Sequence, residues 1–130
     1  MPLKITLKPG ERMIVGGAVI SNSSIHKCDL LINNDAPVLR EKDILSERDA
    51  ATPCSRIYFT IQLMYIDHDN RKVHADAYWN QVRELLSAAP SLTGLIDQIS
   101  ENIVNGRYYQ ALKLGGDLIE YEQEVCRNVR

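Results

Sequence analysis

The apolar residues of this chain change their period near Ser46, and that change limits the folds open to it. Before Ser46 they recur at every second residue, the spacing of a strand buried on one face. After it they recur at about 3.6 residues, the spacing of a helix buried on one side. A chain patterned this way folds as strands followed by helices, an α+β protein. Leu3, Ile5 and Leu7 alternate with Lys4, Thr6 and Lys8, and Pro9-Gly10 ends the run. Arg12-Met13-Ile14-Val15 and Ala18-Val19-Ile20-Ser21 flank Gly16-Gly17. Glycine accepts the positive φ that a two-residue hairpin turn needs. Asn22-Ser23-Ser24 reads as a loop, Asp29-Leu30-Leu31-Ile32 as a fourth strand, and Pro37-Val38-Leu39-Arg40 as a short fifth. These segments predict a small, strongly bent antiparallel sheet in a β-rich part spanning residues 1–48.

Residues 49–130 predict an antiparallel bundle of about four helices. Thr52 caps the first and Pro53 occupies its first turn. Ile57, Ile61, Met64 and Tyr65 then share a face up to the turn Asp67-His68-Asp69-Asn70. The second runs from about Lys72 to Ala89 with Tyr78, Val82, Leu85, Leu86 and Ala89 as its stripe, and Pro90 ends it. Leu92, Leu95, Ile96, Ile99 and Ile103 form the third stripe, closed by Asn105-Gly106 as a left-handed cap. Tyr108, Ala111, Leu112, Gly115, Leu118, Tyr121 and Val125 form the fourth.

Charge narrows the function classes. The chain carries 15 Lys/Arg against 17 Asp/Glu, which is not the balance of a strongly basic nucleic-acid protein. The first 45 residues hold six cations against five anions, and the remainder nine against twelve. Any phosphate contact is therefore expected in the β half, and a protein contact in the acidic helices. No apolar run approaches the roughly 20 residues that cross a bilayer, and lysines interrupt the amino-terminal apolar positions, unlike a signal peptide. Cys28, Cys54 and Cys126 are too few and too scattered for a disulfide framework. The expected compartment is the cytoplasm, with reduced thiols and no membrane partner.

No motif for catalysis or cofactor binding is present. Gly16-Gly17 lacks the spacing and the following helix of a phosphate loop. His26 and Cys28 could share a metal, but no second pair completes a site, so a surface histidine and a half-buried thiol are expected. Asp67-His68-Asp69-Asn70 begins like a calcium loop, yet Lys72 stands where glycine is wanted and Tyr78 where glutamate is wanted. It reads as a polar helix–helix turn. Glu120, Glu122 and Glu124 are scattered around a helix by their odd spacing and read as solvated. The six tyrosines all lie in the helical half, where an exposed subset suits protein recognition better than catalysis. The residues describe a binding or regulatory protein, with no enzyme chemistry, metal or cofactor.

Four stretches resemble a known family. Met1-Pro2-Leu3-Lys4-Ile5-Thr6-Leu7-Lys8-Pro9-Gly10-Glu11, Val38-Leu39-Arg40-Glu41-Lys42-Asp43-Ile44-Leu45, Arg56-Ile57-Tyr58-Phe59 with Gln62-Leu63-Met64-Tyr65, and Tyr108-Tyr109-Gln110-Ala111-Leu112-Lys113-Leu114 resemble the FlbT flagellar regulators of alphaproteobacteria. The resemblance covers nearly the whole chain in order. It implies association with the untranslated leader of flagellin mRNA, restraint of translation and promotion of message decay, with the small protein FlaF as a companion. The sign of control differs among members.

The β half is also similar to the carbon storage regulator CsrA, through Lys8-Pro9-Gly10-Glu11, Met13-Ile14-Val15-Gly16 and Asn34-Asp35-Ala36-Pro37-Val38-Leu39-Arg40-Glu41. That similarity implies a β dimer that binds mRNA leaders, with Arg40 in place of the family's RNA-contacting arginine. Leu7 and Leu39 depart from its pattern, where a basic residue and a histidine are usual. Lys4 and Lys8 fall on the side of the first strand opposite Leu3, Ile5 and Leu7. A guanidinium can stack on a base or fork onto phosphate, and unpaired RNA exposes both. With Arg12 and Lys42 added, the candidate RNA contacts are Lys4, Lys8, Arg12, Arg40 and Lys42. Most exposed lysines and arginines are ordinary solvated cations, and the two resemblances set Lys4, Lys8 and Arg40 apart. The expected partners are flagellin mRNA and a second copy of the chain, or else flagellin or FlaF bound by the helices with only indirect effects on RNA.

Overall fold

The computed structural model describes residues 2–128. Among these, strands β1 (Leu3–Leu7), β2 (Arg12–Val15), β3 (Ala18–Ser21), β4 (Cys28–Ile32) and β5 (Val38–Arg40) precede helices α1 (Pro53–Ile66), α2 (Arg71–Ala88), α3 (Thr93–Val104) and α4 (Tyr108–Asn128). The α+β order is the one the periodicity predicts. The chain divides into two compact units after Ile44.

In the strand unit the antiparallel strands form two ladders rather than one continuous sheet. β1 pairs with β4, Leu3 opposite Ile32 and Leu7 opposite Cys28. β2 lies between β3 and β5. The break falls at Lys8-Pro9-Gly10-Glu11. Glu11 N donates to Lys8 O at 3.0 Å and Gly10 has φ 77°, which makes a type II turn with proline and glycine at its two central positions. Pro9 has no N–H to carry a ladder onward. The two ladders meet over one core, with Ile5, Leu7 and Met13 buried and Val15, Ile20, Leu30, Ile32 and Val38 packed against them. The β2–β3 hairpin turns on Gly16 at φ 60°, and only the first of its two glycines has a positive φ.

The loop after β3 is organised by Asn22, which is only 5% exposed. Its amide nitrogen donates to Leu7 O at 3.1 Å and to His26 O at 2.8 Å. Its amide oxygen accepts from Ser24 N at 3.0 Å, Ser24 Oγ at 2.9 Å and Cys28 Sγ at 3.3 Å. Its backbone N–H donates to Glu11 O and its carbonyl accepts from Gly10 N. One buried residue thus ties three places together: its side chain joins the end of β1 to the start of β4, and its backbone holds the turn between β1 and β2.

In the helical unit, Thr52 and Ser55 form a reciprocal capping box at the start of α1, with Pro53 in the first turn. Glu122 adds a second cap: its Oε2 accepts from Cys54 N at 3.1 Å. Sequence spacing places Glu122 on a solvated surface, whereas the fold brings it to the positive end of α1, where a carboxylate is stabilised. Burial, with Glu122 beside it, pushes the Cys54 thiol up to about 12. Gln62, 3% exposed, donates to Leu45 O at 3.0 Å and accepts from Leu45 N at 2.8 Å. That bond pair holds the segment entering the unit against α1. At the end of α3, Gly106 has φ 76°, and the bonds Arg107 N to Asn102 O and Gly106 N to Ile103 O complete a Schellman cap.

α1 packs against both α2 and α4, and α3 against α4. The start of α1 meets the end of α4 at Cys54 and Glu122, and the end of α1 meets the start of α4 at Tyr65 and Tyr109, so these helices are antiparallel. The stripes are buried as their period implies, with Ile57, Ile61, Met64, Tyr78, Ile96, Ile99, Leu112 and Leu118 in the core. Tyr121 and Val125 continue the α4 stripe but are exposed. The buried Tyr78 hydroxyl meets Ser100 Oγ at 2.8 Å, and burial pushes that phenol to about 12. Gly115 lets α4 approach α1: a Cβ there would lie 3.3 Å from Tyr58 Cδ2 and 3.4 Å from Ile61 Cδ1. At Gly116 nothing lies within 4 Å of such a Cβ.

Two adjacent glycines should therefore respond oppositely in urea unfolding. Gly115→Leu is expected to destabilise by about 1–3 kcal/mol through overpacking, and Gly116→Ala to stabilise by roughly 0.5–1 kcal/mol through helix propensity. Equal effects at the two positions would contradict the α1–α4 contact. Asn22→Asp keeps the acceptors and removes both amide donors facing Leu7 O and His26 O. It is expected to cost at least the roughly 2 kcal/mol of a buried unpaired polar group, and an unchanged midpoint would remove Asn22 from its organising role.

Candidate functional site

The five cations singled out by sequence lie in the strand unit, and all are exposed. Lys4, in β1, sits opposite Leu31 and 3.7 Å from Asp29 Oδ2, with side chains 69% and 61% exposed. Thr6 Oγ1 donates to the other oxygen of Asp29 at 2.7 Å. The Thr6 hydroxyl, then the Lys4 ammonium, hold the Asp29 carboxyl below its ordinary 3.8. The face of β1 that carries Lys4 therefore also carries a carboxylate and, on β4, the exposed Leu31.

Lys8 begins the type II turn. Its backbone N–H donates to Glu11 Oε1 at 2.9 Å, which clasps the turn shut and fixes the point from which the ammonium projects. The other oxygen of Glu11 lies 3.8 Å from Arg40 Nη2. Arg40 also donates from Nη2 to Thr6 O at 3.1 Å, so the guanidinium bridges β5 to β1. Arg12 is held by Glu41, whose Oε1 takes both its backbone N–H at 3.3 Å and its Nε at 3.4 Å. Among the described residues, neither Lys8 nor Lys42 is in an ion pair.

The five cations are exposed, and carboxylates stand beside three of them. Three have an anionic neighbour at 3.4–3.8 Å. Such exposed pairs contribute little stability, and a phosphate can displace them. Sequence reasoning missed the partners Glu11, Asp29 and Glu41, because they lie across strands or turns from the cations they meet. The nearest sequence signal was Lys8-Pro9-Gly10-Glu11, whose turn places Glu11 back over Lys8.

Apart from these cations, His26 is exposed and Cys28 half-buried, its thiol donating to Asn22 Oδ1. The Asp67 carboxylate is engaged by His74 Nε2 at 2.9 Å and by the Asn70 amide. Those bonds, His74 first, hold it below the ordinary aspartate value and make the segment a polar turn. No group of three or more His, Cys, Asp or Glu is placed to hold a metal among the described residues. No helix among them is long and apolar enough to cross a membrane.

The family model of the flagellar protein FlbT matches residues 3–126. The chain belongs to the FlbT family. Over 96% of its length it is 43% identical to a probable flagellum biosynthesis repressor protein FlbT 1 of Bradyrhizobium diazoefficiens, covering 85% of that protein. It is 42% identical to a probable FlbT repressor of Rhodopseudomonas palustris, with 96% of this chain and 98% of that one aligned. The flagellum biosynthesis repressor FlbT of Caulobacter vibrioides is 37% identical over 99% of this chain and 92% of its own. No solved structure matches.

The hydrogen bond from Thr6 gives the strand unit a pH signature. Because Asp29 is held low in the folded chain, its contribution to the β1–β4 ladder is present above the ordinary value of 3.8 and is lost as pH falls through the lowered one. A carbon-13 titration should show Asp29 ionising below 3.8 in the parent and nearer that value in Thr6→Val. Identical titrations would remove the Thr6 bond as the main cause.

Proposed function

We propose that this chain is a post-transcriptional regulator of flagellin synthesis that contacts the untranslated leader of flagellin mRNA, represses its translation and promotes its decay. Membership of the FlbT family supplies the flagellar regulatory role. The observation that supports an RNA contact is the exposure of Lys4, Lys8, Arg12, Arg40 and Lys42, of which Lys8 and Lys42 have no anionic partner among the described residues. A few such contacts give weak, salt-sensitive binding, and Arg40 can offer a planar guanidinium to a base or phosphate. A second copy would double the footprint. The β1–β4 ladder has two strands and exposes Leu3 and Leu31, features that support pairing between copies in the cytoplasm.

A second reading, an adaptor that binds flagellin or FlaF and affects RNA indirectly, draws on the acidic helices and on the exposed Tyr121 and Val125 at the end of the α4 stripe.

The two readings separate in a salt titration of binding to a flagellin-leader RNA. Lys8→Ala/Lys42→Ala is expected to weaken binding and to reduce the slope of log K against log salt by roughly 1.4, about 0.7 for each phosphate that is no longer neutralised on a single strand. A parental slope and affinity in the double variant would overturn the RNA contact through the strand unit.

A further inference from the structure

We infer that the helical unit carries a separate single-stranded RNA contact where α1 ends and α4 begins, with Tyr109 as the stacking ring and Lys113 and Arg107 as phosphate partners. The inference goes beyond the strand-unit cations and rests on the reading of the chain as an RNA regulator.

Charge is concentrated at this end of the unit. The helical half is acidic, yet four of its nine Lys/Arg, namely Arg71, Lys72, Arg107 and Lys113, fall within residues 65–74 and 105–113. Those segments contain two acidic residues, Asp67 and Asp69. Asp67 is already engaged by His74 and Asn70. Glu101, in the last turn of α3 and bonded through its carbonyl to Asn105, stands at the same end, so cations outnumber carboxylates there by four to three, against an excess of carboxylates over the rest of the unit.

The rings and cations here are also held in place. The Tyr65 and Tyr109 rings lie 5.6 Å apart. The Arg71 guanidinium lies 4.2 Å from the centroid of the Tyr108 ring and donates from Nε to Met64 O at 2.9 Å. Arg71 thus takes an orphan carbonyl at the end of α1 and orients the first turn of α4. Beside it Tyr109 is 38% exposed, with the Lys113 ammonium 5.3 Å from its ring centroid. Arg107 is exposed and held through Nε to Asn102 Oδ1 at 2.9 Å, an anchor that leaves its terminal nitrogens to project.

The exposed Tyr109 ring, with the Lys113 ammonium over it, fits an unpaired nucleotide whose base displaces the ammonium from the ring face and whose phosphate then takes the ammonium as its partner. An acidic peptide would use the cations and give the ring only apolar contact, whereas a nucleotide uses the ring face and the cations together.

The test measures binding of the full chain to two fluorescein-labelled 20-mers, a flagellin-leader RNA and oligo(U), to a uridine-rich 20-mer carrying one 2-aminopurine, and to a fluorescein-labelled polyglutamate as the acidic-peptide probe. Tyr109→Ala is expected to weaken binding about tenfold, as expected for one unstacked base, and to abolish quenching of the 2-aminopurine. Tyr109→Phe keeps both. Lys113→Glu, an exposed position that need not disturb folding, is expected to weaken binding at least fivefold and to do so less at high salt. If Tyr109→Ala and Lys113→Glu bind like the parent while Lys8→Ala/Lys42→Ala binds weakly, this inference falls and the strand-unit reading stands. If the parent binds none of these RNAs, both fall. If the helical variants lose affinity for polyglutamate but not for RNA, the surface is a protein contact and the inference is overturned.

Discussion

The strand unit depends on one buried amide. Its strands are three to five residues long, and its two ladders share no hydrogen-bonded strand. Ladder bonds alone therefore cannot fix one ladder against the other, and the small core is non-directional. Asn22 supplies the direction. It donates to the end of β1, accepts from the loop leading to β4, and its backbone closes on the Lys8–Glu11 turn. Inside a protein a fully satisfied polar group of this kind specifies one arrangement, and a half-satisfied one is costly. Gln62 has the same role in the helical unit, where both ends of its amide bind the backbone of Leu45.

The same turn that Asn22 fastens presents the cations. Lys8 projects from a loop clasped by Glu11, and Glu11 also faces Arg40. Binding of a phosphate chain would exchange these weak exposed pairs for phosphate contacts without rebuilding the backbone. Preorganisation of this sort lowers the ordering cost of binding.

In the helical unit, neighbouring residues are committed to structure or left to solvent. Arg71 is committed to Met64 O and the Tyr108 ring, whereas Tyr109 and Lys113, one and five positions on from Tyr108, face outward. Tyr108 and Tyr109 are alike in sequence and differ in burial because successive helical positions are turned by about 100°. Six tyrosines in the helical half are visible in the sequence; which of them the solvent reaches is not.

By itself the sequence determined the class and order of the elements, the caps at Thr52 and Gly106, the Gly16-Gly17 hairpin and the apolar stripes. Each of these is a local property: a period, a cap or a turn is complete within a few residues. It also carried the family, through residues spread along the whole chain. Tertiary structure alone decided that the strands form two ladders, that Glu122 caps α1, that Gly115 is the close-approach glycine and Gly116 is not, and that Lys4, Arg12 and Arg40 stand beside carboxylates. Those facts depend on residues far apart in the chain, and no local pattern records which distant group will fill a given lone pair, cap or gap.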